Sequence, residues 1–523
     1  MSYQPFLIAE HAGLFKGLTP WKALVNAGLI FKNTYIKHDG TLKKRRGYKP
    51  YLDTEAGLPI TGVFSHVTLE GDDLTLVTDT EKLYKWDAGD LLEVVTGSPP
   101  AMTGTSSDLV VSESLAGVTY YTNGVTGDIL RYYDGTVAGE VTQTTLTTPT
   151  AIDITGAKFI KVFKERVLLF NLSEGGERIP QRIRWSPLGS GGLWFPDFSA
   201  PPPPVTEREW DPLAYLDLPT NEIIYGVDYS TNHIVIFTAN NTWKLEALGT
   251  SPDTPFRVQK VTSGIGARGY YSTVSYHDNV FAFDKEGIII YNGRYSQRLD
   301  AKIPDFFVSF NTELIGIING VASEETRQIV WLYPSVGATE NDSALTYNYE
   351  KNTWATWEIG GIHRLGLSTA QDFEAYKDLV GTFKEWDEPF NTASNDIGFP
   401  ILLGGGVAGE VFKMNTEATD DGVPIDIDVF SGQYNPFIKE GYRARLGYID
   451  FILKTTEPLD IGFYIDFEDS AYATGILDPG QEINRVYSGA VGDFHRVRIT
   501  GSVSSSVEIE GMILYFRKAG RIK

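Results

Sequence analysis

The residues with most chemical potential in this chain are its carboxylates, 67 Asp and Glu in 523 positions. Two groupings come nearest to a pattern. Asp426 and Asp428 stand two apart in an alternating run, where side chains share one face of a strand. Asp466, Glu468 and Asp469 cluster after a second such run. A glycosidase needs two carboxylates about 5 Å or about 6.5–9.5 Å apart across a sugar-sized cleft. The alternative is the solvated face of an edge strand. The sialidase-type turn Ser-x-Asp-x-Gly-x-Thr-Trp is absent, and Asn241-Thr242-Trp243 and Asn352-Thr353-Trp354 repeat only its end. His11, His38, His66, His233, His277, His363 and His495 form no HxH or HExxH spacing, and there is no cysteine, which removes thiolate metal sites, disulfides and cysteine nucleophiles. Gly404-Gly405-Gly406 and Gly191-Gly192 lack the Lys-Ser/Thr of a phosphate loop, and no Gly-x-Ser-x-Gly elbow occurs. The expectation is a protein without catalytic residues, cofactor or metal.

The elements that would position any site are short strands. Ile234-Val235-Ile236-Phe237 turns at Asn240-Asn241 into Thr242-Trp243-Lys244-Leu245. Val280 to Phe283 turns at Lys285-Glu286-Gly287 into Ile288 to Tyr291, closing on Asn292-Gly293. Phe159 to Phe163 turns at Lys164-Glu165-Arg166 into Val167 to Phe170. Polar residues tolerant of positive φ between β-branched runs are hairpin signals. The form recurs every 40 to 60 residues or so, and each unit alone exposes an apolar face, so units must stack. Radial stacking buries those faces and leaves only short edges. The predicted fold is all-β: a β-propeller of about seven blades, within a range of six to eight, over residues 59–424. The aromatic strand ends, Trp86, Trp185, Trp243 and Trp357 among them, read as packing between sheets rather than sugar platforms.

Three stretches depart from this form. Residues 1–58 are basic and read as a hairpin extension, turning at Asp39-Gly40 into Lys43-Lys44-Arg45-Arg46. That tip could meet phosphate, an acidic partner subunit, or the acidic body of its own chain. Residues 189–219 form a proline-rich insertion with Trp194, Phe195 and Trp210, either a subunit contact or a cover over an edge. Lys43, Lys44, Arg45, Arg46, Trp194, Phe195 and Trp210 are therefore the candidate subunit or adaptor contacts. Residues 425–523 alternate with period two, which predicts a β-sandwich-like domain ending in a basic tail from Arg517.

The formal net charge is −22. It suits solubility, and also a lumen through which a polyanion slides without adhering. No apolar run approaches about 20 residues, so no membrane-spanning segment is expected.

The phrase Val25-Asn26-Ala27 through Asp39-Gly40-Thr41-Leu42-Lys43-Lys44-Arg45-Arg46-Gly47-Tyr48 resembles the opening of tail proteins of short-tailed bacteriophages. Ser263-Gly264-Ile265-Gly266-Ala267-Arg268-Gly269, followed by Val280 to Phe283, Glu286-Gly287-Ile288 and Asn292-Gly293, is similar to the same family, as are Ile509-Glu510-Gly511-Met512 and Gly520-Arg521. The family is the tail tubular protein B, or nozzle, group, with the DNA-stabilising tail hub proteins. The resemblance implies a virion protein assembled in the host cytoplasm, forming a homo-oligomeric, usually six-fold ring beneath the portal and adaptor. Such a ring conducts and gates double-stranded DNA without reading its sequence, and it anchors fibres or spikes. A receptor-binding or baseplate-like propeller is the alternative, and a glycan-cleaving tail enzyme a further one.

Overall fold

The computed structural model describes residues 3–17, 26–68, 71, 73–87, 90–94, 100–140, 154–186, 214–248, 255–369 and 400–522. The described chain is all-β apart from short 3-10 turns such as Pro304–Val308. Strands join into six four-stranded antiparallel sheets, one seven-stranded sheet and one nine-stranded sheet. The four-stranded sheets cover 62–93, 111–140, 154–217, 224–263 and 274–298, and the last combines three strands of 362–414 with one from the N-terminus. A further run of four, 319–358, has the same order inside the nine-stranded sheet. This is a propeller-like series of repeated sheets.

Alternation explains why their central strands read as unbroken apolar runs. Successive side chains leave a strand on opposite faces, and here both faces are buried. In His233–Thr238, Ile234 and Ile236 pack with Leu168, Phe170 and Trp185 of the preceding sheet. Val235 and Phe237 instead pack with Val280, Ala282 and Ile289 of the following one. Trp331 in turn faces Phe281 and Phe283, whereas Val330 and Leu332 face Leu365 and Leu402. The sequence of cores returns to its start, because Leu403, Val411 and Leu52 pack with Val63, Val77 and Tyr84 of the first sheet. First strands of consecutive sheets are also neighbours, including Ile362–Ser368 beside Gly62–Val67.

The N-terminal residues enter three different sheets. β1 (Gln4–Ile8) pairs with Glu508–Arg521. β2 (Gly28–Lys32) lies between Thr353–Glu358, to which it is parallel, and Ile425–Ser431, to which it is antiparallel. It thereby makes the 319–358 run and the C-terminal strands one continuous sheet. β3 (Thr34–Ile36) and β4 (Leu42–Lys44) form the basic hairpin, and β4 also pairs with Glu508–Arg521. β5 (Tyr48–Asp53) completes the 362–414 sheet as its fourth strand. The C-terminal strands form two facing layers. Ile427, Val429, Phe463, Val497 and Ile499 of one share a core with Leu446, Phe451, Leu514 and Phe516 of the other. Arg517, Lys518 and Arg521, expected in a tail, lie inside the 14-residue strand Glu508–Arg521.

The hairpin between Phe163 and Arg166 carries a local cost. Lys164 and Glu165 both have positive φ, 52° and 56°, in an exposed two-residue turn. That geometry favours Asn-Gly, since at positive φ a Cβ crowds the backbone, and glycine has none. Replacing Lys164-Glu165 by Asn-Gly should stabilise the protein by about 1 kcal/mol, read as a rise in the denaturation midpoint without change in slope.

Candidate interaction surfaces

All four basic hairpin residues have partners within the chain, three of them at short range. The Lys43 ammonium lies 2.9 Å from Glu508. Lys44 is buried and donates to the Ala418 and Val503 carbonyls at 2.5 and 3.0 Å. Burial pushes its pKa down to about 8. Arg45 is 2% exposed. Its guanidinium donates to both oxygens of Asp420 at 2.7 and 2.5 Å, to the Asn33 side chain at 2.9 Å and to the Glu358 carbonyl at 2.6 Å. Arg46 differs, with a side chain 53% exposed and 3.4 Å from Glu325. It lines a cleft of about 250 Å³ with Tyr35, Lys37, Arg327 and Asn348. Trp194, Phe195 and Trp210, with most of the proline-rich insertion, lie outside the described residues.

Of the carboxylates singled out by spacing, Asp428 and Asp466 are held by partners within the chain, whereas Asp426, Glu468 and Asp469 are exposed. Asp428 accepts two hydrogen bonds from Arg498 at 2.8 and 2.5 Å on the adjacent strand. Asp466 sits at φ 51° and accepts from the Asp493 and Phe494 amides at 2.7 and 2.9 Å, which shapes a turn. Among the described residues no group of three His, Asp or Glu could hold a metal ion, and no helix is long and apolar enough to cross a membrane. His11, His66, His363 and His495 are buried, and burial lowers the pKa of each.

Two polar clusters escape sequence reading because their members come from different sheets. Lys161 lies 3.0 Å from both Glu113 and Asp228 and 4.7 Å from the centre of the Tyr229 ring. Burial disfavours its ammonium, but the two carboxylates outweigh that and raise its pKa. Burial raises Glu113 too, against the pull of Lys161. This triad ties three consecutive sheets together. The second cluster surrounds the segment 103–110, where first strands converge. His363 Nε2 donates to the Ser106 carbonyl at 2.5 Å, Asp108 lies 3.8 Å from Lys158, and Arg364 donates to the Val110 carbonyl at 3.4 Å. Lys158 and Arg364 stand 4.9 and 5.7 Å from the Tyr271 ring centre. Burial lowers Lys158 to about 8 and Arg364 to about 10. These contacts fasten the segment across the inner ends of the sheets.

Comparison with known proteins gives fold-level likenesses of low degree. No protein-family model matches the sequence, and no curated protein matches it. The WD40 domain of Pan2 from Neurospora crassa aligns at a TM-score of 0.36 and 7% identity, covering 71% of this chain and 95% of that domain. The extracellular domain of the putative hybrid two-component system BT3049 from B. thetaiotaomicron gives 0.39 and 8%, covering 90% of this chain and 59% of its own. PorZ, a surface component of the type-IX secretion system of Porphyromonas gingivalis, gives 0.31 and 10%, covering 78% and 63%. Likeness of this degree transfers no activity, ligand or partner to the present chain.

Proposed function

We propose that this chain is a non-catalytic binding and assembly platform: a seven-bladed β-propeller joined rigidly to a β-sandwich, working as a subunit of a bacteriophage tail nozzle or hub. The observation that carries the platform reading is the path of residues 28–53. β5 supplies the outer strand of the 362–414 sheet, so the sheet series closes with strands from distant parts of the chain. β2 hydrogen-bonds to both the 319–358 run and the C-terminal strands, so neither part swings free. Closure in this manner resists opening of the ring, and a continuous sheet removes the hinge that domain motion needs. The nozzle identity rests on the sequence resemblance together with the acidic body.

The repeated-sheet architecture alone favours a broader member of the same class, a receptor-binding or adaptor module. Gradient sedimentation of the purified chain with the portal–adaptor complex of its own particle separates the two. Co-sedimentation is the result expected of a nozzle or hub. Failure to co-sediment, with saturable adsorption of the chain to host cells, would transfer the reading to receptor binding.

A further inference from the structure

The outer face of the seven-stranded sheet is composed unlike the usual solvent face of a sandwich, which alternation makes polar. Strand register places Pro5, Tyr515, Tyr448 and Tyr487 side by side in one row. Leu7, Ile513, Asp450 and Arg485 form the next row, and Ile452 with Ile483 begins a third. Leu7, Ile483 and Tyr487 are 60, 61 and 70% exposed. At about 4.8 Å between strands and about 6.8 Å between rows, the face measures roughly 15 by 14 Å between outer Cα atoms. Apolar patches of up to a few hundred Å² occur on most monomers and are often functional.

Ring geometry selects the class of occupant. Tyr448 and Tyr515 stack on each other at 4.2 Å between centroids, and Arg485 lies 4.4 Å over Tyr448. Tyr487 leans on Tyr448 at 5.7 Å, and Tyr3 does so at 6.0 Å. The broad ring faces a sugar would stack on are thus largely taken, which leaves edges and hydroxyls outward. Tyrosine and arginine around aliphatic residues is the composition of protein interface centres.

Charge selects among proteins. Asp450 is matched by Arg485 through two hydrogen bonds of 2.6 and 2.7 Å. Lys454 is matched by Glu510 at 2.7 Å. Arg517 lies 5.5 Å over the Tyr3 ring, opposite Arg445 on the neighbouring strand, and has no ion pair with a carboxylate among the described residues. With those pairs cancelling, the face is left positive by Arg517 and Arg445 on a chain of net charge −22. Two copies repel over most of their surfaces, but not where this face meets the acidic body of the next copy.

We propose that this face, centred on Tyr448, Tyr487, Leu7 and Arg517, is the surface through which one copy of the chain docks head-to-tail on the acidic body of a neighbouring copy. This deepens the assembly reading above and rests on it. Patches of this size form the apolar centre of an interface of about 800 Å² per partner, with rim residues supplying the rest. A heterologous contact of this kind closes into a ring when its rotation permits.

The test is sedimentation equilibrium of the full chain from about 1 to 100 μM, at low and at high salt. The wild type should rise above the single-chain mass of 57.9 kDa with concentration, and high salt should weaken association several-fold. The double variant Leu7→Glu, Tyr487→Glu changes only exposed side chains. It should keep the wild-type melting temperature and associate at least tenfold more weakly. Arg46→Glu, elsewhere on the surface, should associate like the wild type. A wild type that stays at single-chain mass overturns the inference, as does a double variant that associates normally. A double variant that still enters portal–adaptor complexes as rings would overturn this face while leaving the nozzle reading intact.

Discussion

Replacing Arg45 by Met should destabilise the protein by about 3–5 kcal/mol, the range for breaking a buried pair and leaving one charge unpartnered. Asp420 would lose both guanidinium bonds, and Asn33 and the Glu358 carbonyl would each lose a donor. These groups come from three places: the turn after β2, the last strand of the 319–358 run, and the connector before Ile425. Asn33 itself is held at φ 55°, receives the Glu358 amide at 2.9 Å and donates to the Asp426 carbonyl at 2.8 Å. Arg45 thus braces the junction that β2 makes. Urea titration should show the loss for Arg45→Met, and Asp420→Asn should cost less, because a neutral amide still accepts one bond. In the double variant Arg45→Met, Asp420→Leu much of the loss should return, since no charge is then left buried. Arg46→Met, on the exposed neighbour, should change stability by about 0.5 kcal/mol or less.

Acid should unfold the protein through its buried histidines before its carboxylates. His11 is 8% exposed, its Nε2 has no hydrogen-bond partner, and burial lowers its pKa from 6.5 to about 4. Its folded pKa lies below its unfolded one, so the unfolded chain binds the proton more tightly in between. The contribution of neutral His11 is complete above pH 6.5 and is lost as pH falls toward 4. Between pH 7 and pH 5 the loss is about 2 kcal/mol from this residue alone. His66, His363 and His495 are lowered in the same sense. Glu113, Asp284 and Asp300, raised by burial, act in the opposite direction and gain stability as pH falls toward their unfolded values. The His11→Leu variant isolates one term. Its stability relative to wild type should improve by about 2 kcal/mol on going from pH 7 to pH 5. A difference that stays constant across that window would show that His11 does not titrate there.

How far the sequence was legible depends on whether a feature was local. Hairpins such as Phe159 to Trp185 were readable because alternation, turn chemistry and strand length all lie within 30 residues or so. The stacking of sheets followed, since Ile234 to Phe237 is too apolar for a strand with one wet face. The role of β5 was not readable as a fourth strand, yet it carried a clue: Pro50 fits only an edge strand, and β5 is the edge of its sheet. Arg45 was legible only as one of three open readings, of which the acidic body of its own chain describes its pairing with Asp420. Which member is buried was hidden, because the groups that hold Arg45, Asp420 and the Glu358 carbonyl, lie more than 300 positions away. The segment 103–110 was equally hidden, because Lys158 and Arg364 meet it from two separate sheets and Tyr271 from the connector before Val274. The uncovered tyrosine face required register across four strands, which spacing within any one of them does not encode.

Mass and symmetry of the purified protein, by native mass spectrometry and particle averaging alone and with the portal and adaptor that the proposed nozzle role requires, test the central claim most directly. The account predicts a closed ring of copies, six-fold in the nozzle form, seated beneath the adaptor, with each subunit a single rigid body of propeller and sandwich. A chain that remains a monomer or trimer in the presence of those partners, or whose two parts average independently of each other, would contradict it.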